Sequence, residues 1–199
     1  MTTRLVLATR NAKKLGEMQE ILAAAGLDVT LEPVPDSAPE VVEDGLTFAQ
    51  NAVKKARSAA DATGLAAVAD DSGLCVDALN EMPGILSARW AGSGKDDAAN
   101  LALVLDQVSD VPDSHLGAHF ACAMAIALPG GEERVVEGRV DGTLVREPRG
   151  DGGFGYDPIF LPEDSDLTTA EMSAAEKHAI SHRGRAIRAL VPVIRELLG

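Results

Sequence analysis

Two acidic pairs, Glu43-Asp44 and Asp70-Asp71, stand where apolar sequence gives way to polar sequence. Adjacent carboxylates raise one another's cost of ionisation unless a cation or hydrogen bonds compensate them. Such hard oxygen donors suit magnesium, which takes one or two carboxylates and fills its remaining positions with phosphate oxygens and water. The same pairs also suit a plainer arrangement, with one acid of each capping a helix or turn and the other facing water. A second group is Thr9-Arg10-Asn11-Ala12-Lys13-Lys14. A loop that leaves a strand and enters a helix aims backbone N–H groups and a partial positive charge outward. With two short polar side chains and two lysines it is a phosphate cradle without P-loop glycines, or an N-cap followed by two solvated lysines. A third group is Gly152 to Pro158, in a loop with four glycines between 150 and 155. Phe154, Tyr156 and Phe160, three of the six aromatics of the chain, fall within seven residues. A ring flanked by glycines offers a flat face to a nucleobase, or tucks a glycine loop under the core. The fourth is Glu176 to Arg185, which gathers cations in a chain whose residues 58–133 hold only two, Arg89 and Lys95. Ser181 can cap a final helix and leave His182 and Arg183 in its first turn. Cations there oppose the helix dipole unless an anion or base carbonyls face them; a solvated helix start is the alternative. His115 and His119 receive no role.

The elements that must position these groups follow from apolar spacing. Residues 4–8 read as a buried strand. Leu15, Met18, Leu22 and Ala25 recur at helical spacing and Gly26 stops them. Residues 27–32 read as a second strand. Thr47 and Gln50 make a capping-box pattern before a helix to about Thr63, closed by Gly64. Residues 65–69 read as a strand that ends at Asp70-Asp71-Ser72-Gly73. Strand, helix, strand, helix, strand is an α/β opening. Residues 96–108 read as a helix, 117–128 and 133–141 as an antiparallel hairpin around Pro129-Gly130-Gly131, and 156–161 as a strand. A final helix spans about 182–198, and Pro192 is expected to kink it or leave a gap in its hydrogen bonding.

Composition bounds the function. The 199 residues favour one domain, and 46% apolar with 25% charged residues is ordinary for a globular protein. A net charge of −13 argues against a general nucleic-acid binder. Cys75 and Cys122 form no CxxC and read as reduced core thiols. No apolar stretch reaches the length of a membrane span and no signal-peptide core follows Met1, so cytoplasm is the expected location.

The four groups together resemble the inosine triphosphate pyrophosphatase family. The residues that carry the resemblance run in order along nearly the whole chain: Thr9-x-Asn11-x-x-Lys14; Glu43 to Phe48; Ala69-Asp70-Asp71-Ser72-Gly73-Leu74; Pro83-Gly84-Ile85 with Ser87-Ala88-Arg89-Trp90; Phe154-Gly155-Tyr156-Asp157-Pro158-Ile159-Phe160; and Ser181-His182-Arg183-Gly184. The resemblance implies an elongated α/β fold on a mixed sheet, one domain over 1–199 with two lobes around a central nucleotide cleft. It implies a magnesium-dependent homodimer that converts nonstandard purine triphosphates (ITP, dITP, XTP) and water to monophosphate and pyrophosphate, cleaning the nucleotide pool. By the same resemblance Asp71 is proton acceptor and metal-linked, and Glu43 is the second metal carboxylate. Thr9, Arg10, Asn11, Ala12, Lys13, Lys14 and Ser72 belong to the phosphates. Phe154, Gly155, Tyr156, Asp157, Lys177, His182 and Arg183 belong to base and sugar. Arg10 departs from the family, where many members have glycine; a need for positive φ there would strain the loop, and the favoured alternative is that Arg10 points outward or adds a cation near the triphosphate. A nucleotide sensor without turnover and a pyrophosphatase for other modified bases are the competing readings. The joint presence of Glu43 and Asp71 weighs against the first, and residues 154–157 and 177–183 against the second.

Overall fold

The computed structural model describes residues 3–199. Six strands form one sheet in the order β2-β1-β3-β4-β5-β6: β1 (Thr3–Leu7), β2 (Val29–Pro33), β3 (Ala67–Val76), β4 (Gly117–Ala127), β5 (Glu133–Leu144) and β6 (Phe160–Pro162). β1 is parallel to both β2 and β3, and β5 is antiparallel to β6, so the sheet is mixed. β4 and β5 are neighbours joined by residues 128–132, too short a connection for a parallel pair. The helices are α1 (Ala12–Ala24), α2 (Phe48–Thr63), α3 (Asp97–Gln107), α4 (Ala174–Ile180) and α5 (His182–Leu198).

The chain divides into two compact units, one of residues up to Asp71 with Cys122–Gly138 and Arg183–Gly199, the other of Ser72–Ala121 and Arg139–His182. In the first, alternation along each strand sorts side chains onto two faces. Leu5, Leu7, Val68, Cys122 and Met124 pack with Met18 and Leu22 of α1 and with Ile187, Leu190 and Ile194 of α5. The intervening Val6, Ala67, Ala69, Ala123 and Ala125 pack on the alanine stripe Ala52, Ala56, Ala59 and Ala60 of α2. Small residues on both sides let that helix lie close to the strands. α2 starts where Thr47 accepts the Gln50 amide, while the Gln50 side chain accepts from Leu46 N rather than from the cap residue itself. It ends at Gly64, whose φ of 67° a side chain would oppose. α5 runs unbroken through Pro192, which faces solvent.

The second unit packs Leu74, Val76, Val104, Leu116, Tyr156, Ile159 and Phe160 together. Gly73 is required there: a Cβ would run into the Gly84 carbonyl and the Ser87 hydroxyl. That hydroxyl accepts the Leu74 amide at 2.9 Å and donates to Gly84 O at 2.7 Å. The glycine of the Asp-Asp-Ser-Gly segment and the Gly84–Ser87 turn are thus one packing arrangement. Both cysteines are buried and free.

Three elements depart from the sequence expectation. The strand expected to stop before Asp70 continues to Val76, because partners outside the strand satisfy its acids. The strand expected over 156–161 is a 3-10 turn, Asp157–Ile159, followed by the short β6, since Pro158 cannot donate to a ladder. Helix α4, with its Ser173–Glu176 capping box, was not expected.

Candidate active site

The pleat of β3 turns Asp70 and Asp71 to opposite faces. Asp70 follows Val68 onto the face of α1 and α5; Asp71 follows Ala69 onto the face of α2. Neighbours in sequence, they have separate surroundings.

Asp70 is almost fully buried and accepts from Lys14 Nζ at 2.9 and 3.1 Å and from Arg183 at 2.9 and 3.2 Å. Burial acts to raise its pKa, but Arg183 and Lys14 outweigh it and hold the carboxyl well below the usual range. Glu17 lies 4.0 Å from the same guanidinium. Lys14 comes from the first turn of α1, which Asn11 caps by accepting the Lys13 amide at 3.0 Å. Thr9 shapes the entry by accepting the Asn11 amide at 3.2 Å. Ala12 and Lys13 are exposed in that first turn. Arg10 turns to the exposed Asp36, 3.4 Å away, and is not among the described residues with positive φ, so its side chain does not strain the loop.

On the other face, Asp71 accepts from Asn51 Nδ2 at 3.0 Å and from Lys55 Nζ at 3.1 Å. Lys55 also donates to Glu43 at 2.6 Å. Burial pushes the Asp71 carboxyl up, and Lys55 and Asn51 pull it part of the way back. Burial opposes the charge of Lys55, but Asp71 and Glu43 overcome it and hold the ammonium above its ordinary pKa. The buried Asn51 accepts the Gly45 amide at 2.8 Å as well, tying the segment of Glu43 to β3. A Cβ at Gly45 would lie 2.6 Å from that Asn51 oxygen, so the position needs glycine. Asp44 pairs with Lys54 instead. Sequence reasoning missed Asn51 and Lys55. Their signal was a spacing of four beside the alanine stripe, a polar pair on the packed side of a helix. Ser72, half-buried, follows Asp71 on the strand.

In the second unit the glycine loop ends on Phe154, which is 67% exposed. Asp157, buried, accepts the Phe154 amide at 2.7 Å, the Thr169 hydroxyl at 2.8 Å and the Lys177 ammonium. Lys177 Nζ stands 4.9 Å from the centre of the Phe154 ring, within cation–π range. The Gly155 amide donates to Asp97 at 3.0 Å, an anchor absent from the sequence reading, and Gly155 takes a φ of 60°. Tyr156 is buried and donates its hydroxyl to Ser87 O at 2.8 Å. In this conformation Tyr156 and Asp157 hold the loop, and Phe154 is the ring left open to a ligand. His182 stacks on Phe120, centroids 5.0 Å apart and planes 12° apart.

An acidic α/β protein with a cation-bearing strand-to-helix turn and a lysine shared by two carboxylates falls in the class of mixed-sheet proteins equipped to handle phosphate esters. Comparison narrows this: the Ham1 family pattern matches residues 5–193, and the chain belongs to the Ham1 family. A dITP/XTP pyrophosphatase of Streptomyces coelicolor is 62% identical over 99% of this chain and 100% of its own. A HAM1 protein structure from Coxiella burnetii superposes with a TM-score of 0.91 at 43% identity, covering 98% of this chain and 99% of that one. A nucleoside-triphosphatase / dITP/XTP pyrophosphatase structure from Mycobacterium abscessus is 53% identical, with a TM-score of 0.82, over 97% of this chain and all of the other.

Proposed function

We propose that this chain hydrolyses nonstandard purine nucleoside triphosphates, dITP and XTP among them, to the monophosphate and pyrophosphate. The observation that carries this is the full-length match to relatives named dITP/XTP pyrophosphatase. The local chemistry supports it. Asp71 is the proton acceptor for the water that attacks the α-phosphorus. Its raised pKa makes it a better base than an exposed carboxylate, and Lys55 keeps it ionised at neutral pH. Lys14, Arg183 and the α1 N-terminus, with Thr9 to Lys13 at its start, take the phosphates. Asp70 gathers the two cations at one point, with Glu17 4.0 Å from the guanidinium, so an anion there competes with these carboxylates for them. Ser72 adds a hydroxyl. Phe154 stacks on the base, steadied by Lys177 through Asp157, and His182 reads its carbonyl edge.

Glu43 and Asp71 suit magnesium by donor chemistry, since both offer hard oxygens and together they already hold one cation, the Lys55 ammonium. The ion would neutralise phosphate charge and make pyrophosphate a better leaving group. The same reading makes the protein a cytoplasmic homodimer; among the described residues no helix is long and apolar enough to cross a membrane.

A panel of triphosphates with magnesium, scored for released pyrophosphate, tests the proposal. Turnover of ITP, dITP and XTP well above ATP and GTP is expected. Turnover of a modified pyrimidine triphosphate instead overturns the substrate class, and binding without turnover marks a sensor.

A further inference from the structure

Cys75, Glu81 and His119 lie together in the second unit, and none of them has been given a role above. Each offers a ligand atom, and these atoms all lie within 4.8 Å of one another. Cys75 is on β3 and His119 on the neighbouring β4; both are buried. Glu81 arrives from the loop after β3. That loop folds back so that Glu81 N donates to Val76 O at 3.1 Å and Val76 N to Met82 O at 3.1 Å. Asn80 and Glu81 take φ values of 53° and 69°, the left-handed turn that returns the carboxylate toward the strand.

His119 Nε2 stands 3.4 Å from Glu81 Oε2, beyond the usual reach of a good N–H···O bond. Its Nδ1 is buried with no partner, in a side chain only 5% exposed. The cluster therefore stands on the meeting of the three ligand atoms, with the Nε2 side of the ring toward the Glu81 carboxylate. A tetrahedral ion with bonds of about 2.0–2.3 Å needs ligand atoms roughly 3.4–3.8 Å apart. The histidine–glutamate separation is already at that spacing, and the whole group needs a contraction of about 1 Å. Asp77, Glu81 and Asp141 act on the imidazole against one cation, Arg139, so the surroundings carry net negative charge. Burial holds the imidazole neutral, its ligating form.

We infer that Cys75, Glu81 and His119 form a site for a borderline divalent ion of the zinc class, three protein ligands with a fourth position for water. One sulfur, one imidazole and one carboxylate suit zinc or cobalt and are wrong for magnesium. On binding, the Cys75 sulfur–hydrogen bond breaks, a sulfur–metal bond forms and the proton leaves to solvent. The ion joins β3, β4 and the 77–83 loop, so it acts on the stability of this unit.

The test is titration of chelator-treated protein with cobalt(II), read by the thiolate-to-cobalt charge-transfer band, with zinc as competitor. One ion per chain and a band that zinc displaces are expected. Cys75→Ser removes the band and Cys122→Ser keeps it. Glu81 is 61% exposed at its side chain, so Glu81→Gln leaves folding intact. It weakens affinity more than about tenfold, at least the loss that follows from removing an outer partner, and abolishes the rise in Tm that zinc produces in the parent. No band, a band that survives Cys75→Ser, or affinity unchanged in Glu81→Gln overturns the site.

Discussion

Asp70 and Asp71 are one position apart and chemically opposite. Asp70, locked between Lys14 and Arg183, stays ionised and is too well compensated to accept a proton. Asp71 is part-buried with one lysine and one amide, and its pKa is raised, which leaves it the more basic of the two. Asp71→Asn is therefore expected to fold normally and to lose at least about a hundredfold in kcat, the lower end of what a positioned base supplies; pyrophosphate release checks it, and activity within about tenfold of the parent removes Asp71 from the chemistry. Lys55→Gln tests the electrostatics. Lys55 pulls the Asp71 pKa down, so its removal lets that pKa rise. The acid limb of the pH profile of kcat/KM, where Asp71 takes up its proton, is expected to move to higher pH. A limb that stays in place assigns it to another group. Arg183 is decided here too. The sequence pairs it with His182 at the base edge, whereas its bond to Asp70 favours the phosphates. Arg183→Ala is then expected to raise KM for ITP and ATP by similar factors. A narrowed ratio of the two returns it to the base edge.

At the scale of elements, the glycine loop is a positioning device for one ring. Stacking is indifferent to the choice of purine and is worth about 1–3 kcal/mol, whereas a contact that reads donors and acceptors is not indifferent. Phe154→Ala is expected to lower kcat/KM for ITP, XTP and ATP by roughly 5- to 150-fold alike, and His182→Ala to narrow the preference for ITP over ATP. Measured kcat/KM for both nucleotides decides it, and the reverse pattern exchanges the two roles. Most elements were legible because their signals are local. The Thr47 cap, the Gly64 stop and the 3.6-residue stripe of α2 each act within a few residues. β3 was cut short because Asp70-Asp71-Ser72 looks like a loop until Lys14, Arg183, Asn51 and Lys55 are placed beside it. α4 went unseen because its seven residues carry no apolar stripe, only the Ser173–Glu176 box.

For the whole molecule, Asp70 is a tie between β3, α1 and α5. Its pKa is depressed in the folded state, so the stability it contributes is present above the unfolded value of about 3.9 and is lost as pH falls below it. Asp70→Asn leaves the part-buried Lys14 and Arg183 without that carboxylate, at a cost of up to about 3–5 kcal/mol. For a chain of this length that lowers Tm by roughly 6–20 °C, and the variant is expected to lose part of the parent's steep destabilisation in acid. Thermal unfolding at several pH values checks both; an unchanged Tm removes the tie. Most of the strands and helices in order, the excess of acid and the segments proposed to carry the chemistry were determined by the sequence alone, because hydrophobic period, caps and residue type need no distant partner. Which face each aspartate takes, that Lys55 and Asn51 stand beside Asp71, that Tyr156 turns inward while Phe154 stays open, and that Cys75, Glu81 and His119 meet were decided only by the tertiary structure. These depend on the pleat of β3 and on pairings across 16 to 113 residues, a distance over which side-chain spacing in the chain carries no information about spacing in space.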